Sequence, residues 1–596
     1  MKLTKTISLF LALCLVFGLC ACSAQTAQTG PVAEVPASQN ASADFVLKNG
    51  AVYTMNENLD VVSAIAVRGS EIVYVGDDEG AEAFIGTDTR VVDLDGKMVT
   101  PGFITGHDHI AAAEYAIRTE FWLYDFEPDL EVYKEAVEEY AAENPDIEVL
   151  NITGLDLQAY GDEIINNQWL NEALPDRLVV MMDNSGHGRL LNQYTMDHLG
   201  ITDDMEVPAG ATFYRYEDGT LTGYFSDCPQ IATELIDGLQ YDDEDIWFEA
   251  FEEFEDNFTS AGFTTMDDGG VFTDIFDRMI RLDEEGGLRM RYQVPLMCND
   301  TDAFSAEYAE ECAEILDGYQ KYNSDHLRFG QVKMIVDGVP EGNSVLLLEP
   351  YAETAGMGPD FYGPTYCSQE VMDEMVSIYN RHGYQVLVHS MGDGGCRKSI
   401  ESFIASQEEN GLDDIRNVVV HATLISDEDI RLAAENNIYL AVQPLWFYLD
   451  PVYSALELDA FGEERFYKEY NTRDRLEAGC VMTGGVDYCA SWDYAPLTGI
   501  EVCCTQGSPY EGEQGDPAYV RNEDQTISVM DALKMYTING AMQCKMEDIV
   551  GSLEVGKKAD MVILAEDITR IDVVDISETE IVNTICDGVV VYGNDL

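Results

Sequence analysis

TPGFITGHDHI (Thr100–Ile110) is an apolar stretch opened by Pro-Gly and closed by two histidines around an aspartate. In a strand, residues two apart share a face. His107 and His109 therefore point together, and Asp108 points away. Histidine is scarce, 8 in 596 residues. Two imidazoles aimed at one point from a strand end suggest a metal ligand pair.

Seven further apolar stretches follow: AGFTTMDD, LRMRYQVPL, LRFGQVKMIVDG, YQVLVHS, NVVVHAT, IYLAVQPL and CVMTGGVDY. Amphipathic stretches such as SQEVMDEMVSIYNRHG and DEDIRLAAENN separate most of them. Strands alternating with helices point to parallel βα units, and eight of them to an α/β fold of the TIM-like (β/α)8 barrel type. The gap between Ile110 and Ala261 is too long for one crossover and carries its own strand candidates, IEVLNITGLD, RLVVMMDNSGH and ATFYRYEDG. It is read as an inserted subdomain after the first barrel strand, about residues 120–260. Within it, Asp242–Phe258 predicts a helix with Ile246, Trp247, Ala250, Phe251, Phe254 and Phe258 on one face and carboxylates filling the other.

Asp44–Val99 reads as short strands punctuated by Gly50, Gly69, Gly76 and Gly96, and the far C-terminus has the same texture. Both ends are expected to build one small β-sandwich. The expected division is a leader at 1–22, a flexible linker at 23–43, sandwich at 44–98, barrel at 99–548 and sandwich again at 549–596.

The leader has Lys2 and Lys5 before an apolar run from Ile7 to Leu19, too short for a typical membrane span. Leu19-Cys20-Ala21-Cys22 resembles a bacterial lipobox, with Cys22 as the lipidated residue. The expected location is extracytoplasmic, either anchored through Cys22 or secreted. The whole chain is 46% hydrophobic, ample for a sizeable core, and its net charge of −78 argues against a nucleic-acid partner. Eleven cysteines beyond the leader are scattered, without zinc-ribbon spacing, and suggest free thiols. A homodimer is compatible with all of this, but no residue specifies one.

The rare residues fall on strand ends. His107 and His109 close the first strand, His389 the fifth, His421 the sixth and Asp487 the eighth, while Lys333 lies within the fourth. In a barrel these ends share one mouth, where active sites sit. Lysine among Val332, Met334, Ile335 and Val336 is costly unless it has a task. Taken singly, each residue is as readily a packed core or turn residue; their joint placement makes the metal centre. Trp446, Phe447, Tyr448, Tyr488 and Trp492 are candidates for an apolar substrate pocket, with packing as the competing role.

PGFITGHDH, VKMIVDG, VHSMGDGG, VVVHAT, GGVDY, YTINGAMQ and GSLEVGKKADMVIL resemble the amidohydrolase superfamily. The closest branch is amidohydrolase family 3, with its YtcJ-like and N-substituted formamide deformylase-like proteins. The resemblance runs from about Asp44 to Asn594. It implies a (β/α)8 barrel flanked by a sandwich. It implies His107 and His109 as the first metal pair and Lys333 as a carboxylated bridge between two ions. His389 and His421 would hold the second ion, and Asp487 would be ligand and proton shuttle. His187, in DNSGHGRLLN, resembles a histidine of the family's inserted segment; with Asp337 and Trp446 it is a candidate for substrate contact. Thr105, Gly394-Gly395 and Val486-Asp487-Tyr488-Cys489 depart from the usual motifs beside the ligands, which puts the substrate rather than the metal in question.

The expected activity is hydrolysis of a C–N bond other than a peptide bond, in an amide, N-formyl or N-acyl amine, through hydroxide generated on a divalent metal. Zinc is the expected ion, two rather than one. Asp487 would take the hydroxide proton and deliver it to the departing nitrogen. Alternatives are a one-metal deaminase, an ester or lactone hydrolase of the same fold, and a surface lipoprotein that binds a solute or metal without turnover.

Overall fold

A computed structural model describes residues 42–596 apart from 125, 162, 209–210, 233–234, 236–242, 301–302, 452, 489, 492 and 595. The leader, most of the 23–43 linker, Cys22 and Trp492 lie outside the described residues. Among the described residues no helix is long and apolar enough to cross a membrane.

The chain from Ser42 to Leu596 forms one contact unit. Its centre holds the eight strands read from the sequence: β1 (Phe103–Asp108), β2 (Phe263–Asp268), β3 (Arg291–Gln293), β4 (Gln331–Ile335), β5 (Gln385–Ser390), β6 (Val418–His421), β7 (Tyr439–Val442) and β8 (Met482–Gly484). All run parallel to their neighbours, in two arcs that follow chain order. One arc contains β1, β2, β3 and the short strand Leu327–Arg328; the other contains Leu296–Met297 and β4 to β8. The third and fourth βα units each break into two short strands and so serve both arcs. On the far side, the end of β1 meets the segment after β8. His107 O accepts from Asp487 N at 3.2 Å, Tyr488 O from His109 N at 3.2 Å, and Asp108 Oδ1 from Tyr488 N at 2.8 Å.

The helix between β4 and β5 has local start and stop signals. Gln369–His382 begins at Ser368, whose side chain accepts from Val371 N, and stops at Gly383, which has φ of 91°. Its buried face includes Met372, Met375, Val376 and Tyr379, at helical spacing.

The inserted segment builds its own six-stranded sheet from Phe121–Trp122, Val149–Leu155, Leu178–Asp183, Gly188–Leu191, Thr212–Arg215 and Leu221–Ser226. A separate apolar cluster around Tyr133, Leu150, Ile152, Trp169 and Tyr224 supports one face. Two details depart from the sequence reading. The helix assigned to the insertion, Glu244–Ser260, packs in the same apolar cluster as the central strands, because Trp247, Phe251, Phe254 and Phe258 all face that core. Its carboxylates do not all face outward. Glu255 is 2% exposed, and its oxygens accept from Arg289 N, Arg289 Nε and Tyr292 OH. Those donors replace the water that a buried carboxylate loses.

Both ends of the described chain contribute to two small sheets that share one core. Phe45, Leu47, Ile65 and Val67 from the N-terminal part pack with Leu553, Met561, Ile563 and Ile585. Met98–Pro101 pairs antiparallel with Met561–Leu564 and leads directly into β1.

Candidate metal centre

His107, on β1, and His109, one residue beyond it, do point together. Their Nε2 atoms lie 3.4 and 3.2 Å from one atom, Asp487 Oδ1. One donor atom from each of the three residues lies within 4.8 Å of the others. Asp487 sits three residues beyond β8, with φ of 58°. The hydrogen bond from its N–H to His107 O holds it there. His421, at the end of β6, also has positive φ, 71°. Left-handed backbone at two non-glycine site residues costs roughly 1–3 kcal/mol each. The network of strand-end hydrogen bonds offsets that strain.

Lys333 projects from β4 into the same space, with Nζ 3.3 Å from His107 Nε2. The remaining imidazoles continue outward. The His107 and His421 ring centroids are 5.1 Å apart, those of His421 and His389 4.5 Å, and those of His389 and His187 5.2 Å. Five of the chain's eight histidines thus form one contiguous array. The other three are elsewhere. His198 and His382 end helices, and His326 pairs with Asp587 at 2.6 Å.

Hydrogen bonds orient individual rings. His389 Nε2–H donates to Gly338 O at 3.1 Å, which leaves Nδ1 as the free lone pair. His421 Nδ1–H donates to Gln443 Oε1 at 2.9 Å, which leaves Nε2 free. His187 Nδ1 donates to the buried Asp227 carboxylate at 2.6 Å, and Tyr366 OH and Ser226 Oγ also donate to Asp227. The inserted sheet supplies both His187 and Asp227, and so reaches the centre through one histidine. Trp446 stacks on His421 at 5.6 Å and donates from Nε1 to Ser491 Oγ.

Asp337 is placed differently from its expected role in substrate contact. Its two oxygens accept from Met391 N, Gly392 N and Leu346 N, and it is 1% exposed. The carboxylate ties the loop after β4 to the loop after β5 and faces no open space.

Burial is the main electrostatic influence. It pushes His107 and His389 well below the ordinary imidazole range and His421 to about 4. It also lowers Lys333 to about 8. For His109 and His187 burial opposes protonation, but Asp487 and Asp227 respectively outweigh it and hold the pKa above the ordinary value. Burial likewise works against ionised Asp487, yet hydrogen bonds from His107 and His109 keep its carboxyl well below the usual range.

This donor set fits a divalent cation. Imidazole nitrogen and carboxylate oxygen are the ligands zinc takes, and His107, His389 and His421 are held in the neutral form a metal requires.

Several residues that build the centre escaped the sequence reading. A Cβ on Gly269 would overlap the His109 ring, and one on Gly270 would come within 2.7 Å of Lys333 Cβ. These glycines leave the room that the His109 and Lys333 side chains occupy. The signal was present, since AGFTTMDD runs on into Gly-Gly. Gln443 and Asp227 carried no local signal, because each acts only through a partner distant in sequence.

Comparison with known proteins agrees with this geometry. The amidohydrolase family model matches residues 90–592. The putative amidohydrolase YtcJ of Bacillus subtilis is 24% identical over 564 residues, covering 91% of this chain and 98% of that protein. The N-substituted formamide deformylase of Arthrobacter pascens is 24% identical over 562 residues, covering 92% and 98%. The crystal structure of an uncharacterized metal-dependent hydrolase from Pyrococcus horikoshii superposes with a TM-score of 0.65 at 20% identity, over 89% of this chain and 99% of that one. The parallel strands in barrel order, the histidines at their ends and a family match over most of the chain lead to one conclusion: this protein belongs to the amidohydrolase family and is an enzyme of the metal-dependent hydrolase type.

Proposed function

We propose that the protein hydrolyses a non-peptide C–N bond in a small amide, N-formyl amine or N-acyl amine. The observation that carries this reading is the meeting of His107, His109 and Asp487 around one point, with Lys333 Nζ beside them. The likeness to a formamide deformylase supports the bond class.

His107, His109 and Asp487 would hold a first divalent ion, zinc by donor preference, and His389 and His421 a second. A bound ion of this kind lowers the pKa of water toward neutrality and polarises a carbonyl. Asp487 takes the proton from the attacking water and hands it to the departing nitrogen. Its position suits that work, since its side chain is 14% exposed and adjoins two imidazoles. His187, 22% exposed and fixed by Asp227, faces the second histidine pair from the insertion and is placed to contact substrate. Lys333, with a pKa of about 8, keeps a share of its amine uncharged near neutrality. That amine could add to carbon dioxide with loss of a proton, and the resulting carbamate would offer oxygen ligands to the metal centre. The tightness of the three-donor group favours a second reading, one ion and deaminase-like chemistry.

The leader ending at Cys22 supports an extracytoplasmic, lipid-anchored enzyme.

The test is metal content by elemental mass spectrometry, on protein purified without chelator or added metal, followed by turnover of N-substituted formamides and N-acyl amines. About two ions per chain together with amide turnover is the expected result. About one ion moves the assignment to the one-metal reading, and none after metal supplementation overturns both. Asp487→Asn should lower turnover about 10²–10⁴-fold in metal-loaded protein.

A further inference from the structure

We propose that Tyr488 is the positioning residue for Asp487, and that its phenol, tied to the buried carboxylate of Glu114, sets where the Asp487 carboxylate stands. The inference rests on Asp487 being the shared metal ligand and proton shuttle, and adds what holds it there. Thr105 and Tyr488 both stand where the sequence departs from the usual motifs. In the fold the two departures meet on one side chain. Asp108, between His107 and His109 in sequence, is 0% exposed. It accepts from Thr105 Oγ1 through Oδ2 and from Tyr488 N through Oδ1, the latter at 2.8 Å. Tyr488 OH in turn donates to Glu114 Oε1 at 3.0 Å, and Asn257 Nδ2 donates to the same oxygen at 2.9 Å. Glu114, 1% exposed, lies in the helix Ala112–Thr119 that follows β1, and Asn257 lies in the helix Glu244–Ser260.

Asp487 needs such a brace. Its φ of 58° is left-handed, which a non-glycine residue keeps only where its surroundings over-determine it. Its N–H donates to His107 O at 3.2 Å, the long end of the normal range. Tyr488 adds three bonds: its N–H to Asp108, its carbonyl from His109 N at 3.2 Å, and its hydroxyl to Glu114. The ring meets Phe258 and Tyr494 edge-on, each with centroids 5.5 Å away. Any residue could make the two backbone bonds. The phenol bond depends on this side chain, and it fixes the neighbour of Asp487 to the helix that follows the first histidine pair. Tyr488 therefore acts through Asp487. One oxygen of that carboxylate must serve both His107 Nε2 and His109 Nε2, 3.4 and 3.2 Å away, and a small displacement of a reacting group costs rate steeply.

The experiment compares wild type, Tyr488→Phe, Glu114→Gln and Glu114→Met, each as the full chain. Hydrogen exchange is read by mass spectrometry on metal-free protein, and zinc affinity by competition with a chromogenic chelator. Values of kcat and KM are read on an N-acyl amine or formamide that the wild type cleaves. Tyr488→Phe keeps the packed ring and removes one hydroxyl. It should speed exchange in the peptide spanning 485–491 and lower zinc affinity and kcat about 10–100-fold, with KM and exchange in the rest of the chain unchanged. Glu114→Met should reproduce that pattern. Glu114→Gln keeps the acceptor for both donors, and the oxygen it replaces, Oε2, has no partner among the described residues, so it should behave as wild type. Unchanged exchange at 485–491 in Tyr488→Phe overturns the proposal. So does Glu114→Gln matching Glu114→Met, or faster exchange spread over the whole chain, which would mark a purely structural bond. A wild type that neither binds zinc nor cleaves amides overturns the hydrolase reading instead. The exchange measurement needs neither metal nor substrate, so it decides the role of Tyr488 separately.

Discussion

Lys333 Nζ lies 3.3 Å from His107 Nε2, and both side chains are buried. Two protonated groups cannot share that space, since a buried charge needs a partner of opposite sign. The pair therefore carries at most one positive charge, and the burial of Lys333 is stored as a pH-dependent cost.

That cost can be measured. Burial takes Lys333 from the ordinary 10.5 down to about 8. Below about 8 folded and unfolded chains both hold the proton, and the folded state bears the full penalty, on the order of 3 kcal/mol. Between the two values the unfolded chain binds more protons, so stability rises with pH. Lys333→Met in chelator-treated protein should raise the urea midpoint at pH 7, and the gain should shrink toward zero by about pH 10. A gain that stays constant across that range would contradict the assignment.

Gly269 keeps space for an imidazole. Gly269→Ala places a methyl group in the volume of the His109 ring. The ring must move, and overpacking costs about 1–3 kcal/mol in stability. Metal affinity should fall by roughly tenfold or more, read by competition with a chromogenic chelator.

Gln443 fixes the tautomer of His421 by accepting from Nδ1 at 2.9 Å. Gln443→Leu keeps much of the volume but removes that acceptor. Metal affinity or turnover should drop about 10–100-fold, with little change in thermal stability. An unaltered metal titration would remove His421 from the ligand set.

Arg291 joins the base of β3 to the terminal sheets. It is fully buried, with Nε 2.8 Å from Asp560 Oδ2 and Nη2 2.6 Å from Asp587 Oδ1. Arg291→Met strands the buried Asp560 carboxylate, so unfolding free energy should fall by about 3–5 kcal/mol. Asp560→Asn combined with Arg291→Met should recover part of that loss, measured by chemical denaturation.

Much of this architecture was legible along the chain. The alternation of apolar strands and amphipathic helices placed all eight central strands, since the periods of 2 and 3.6 are properties of local backbone geometry. Ser368 and Gly383 marked the ends of one helix for equally local reasons. The two-residue spacing of His107 and His109 set their common direction before any tertiary contact was known.

Tertiary structure decided what each side chain meets. His187 lies in an inserted sheet, and nothing near it in sequence shows that it ends 5.2 Å from His389. Asp337 looked like a residue at the mouth, but three backbone N–H groups from two loops consume its oxygens. Glu255 sat among outward-facing carboxylates until Arg289 and Tyr292 supplied buried donors. By itself the sequence determined the strands, helices and direction of the first histidine pair, because those follow from steric repeats within a few residues. Only the tertiary structure decided hydrogen-bond partners, burial and ligand convergence, because these depend on groups brought together from distant parts of the chain.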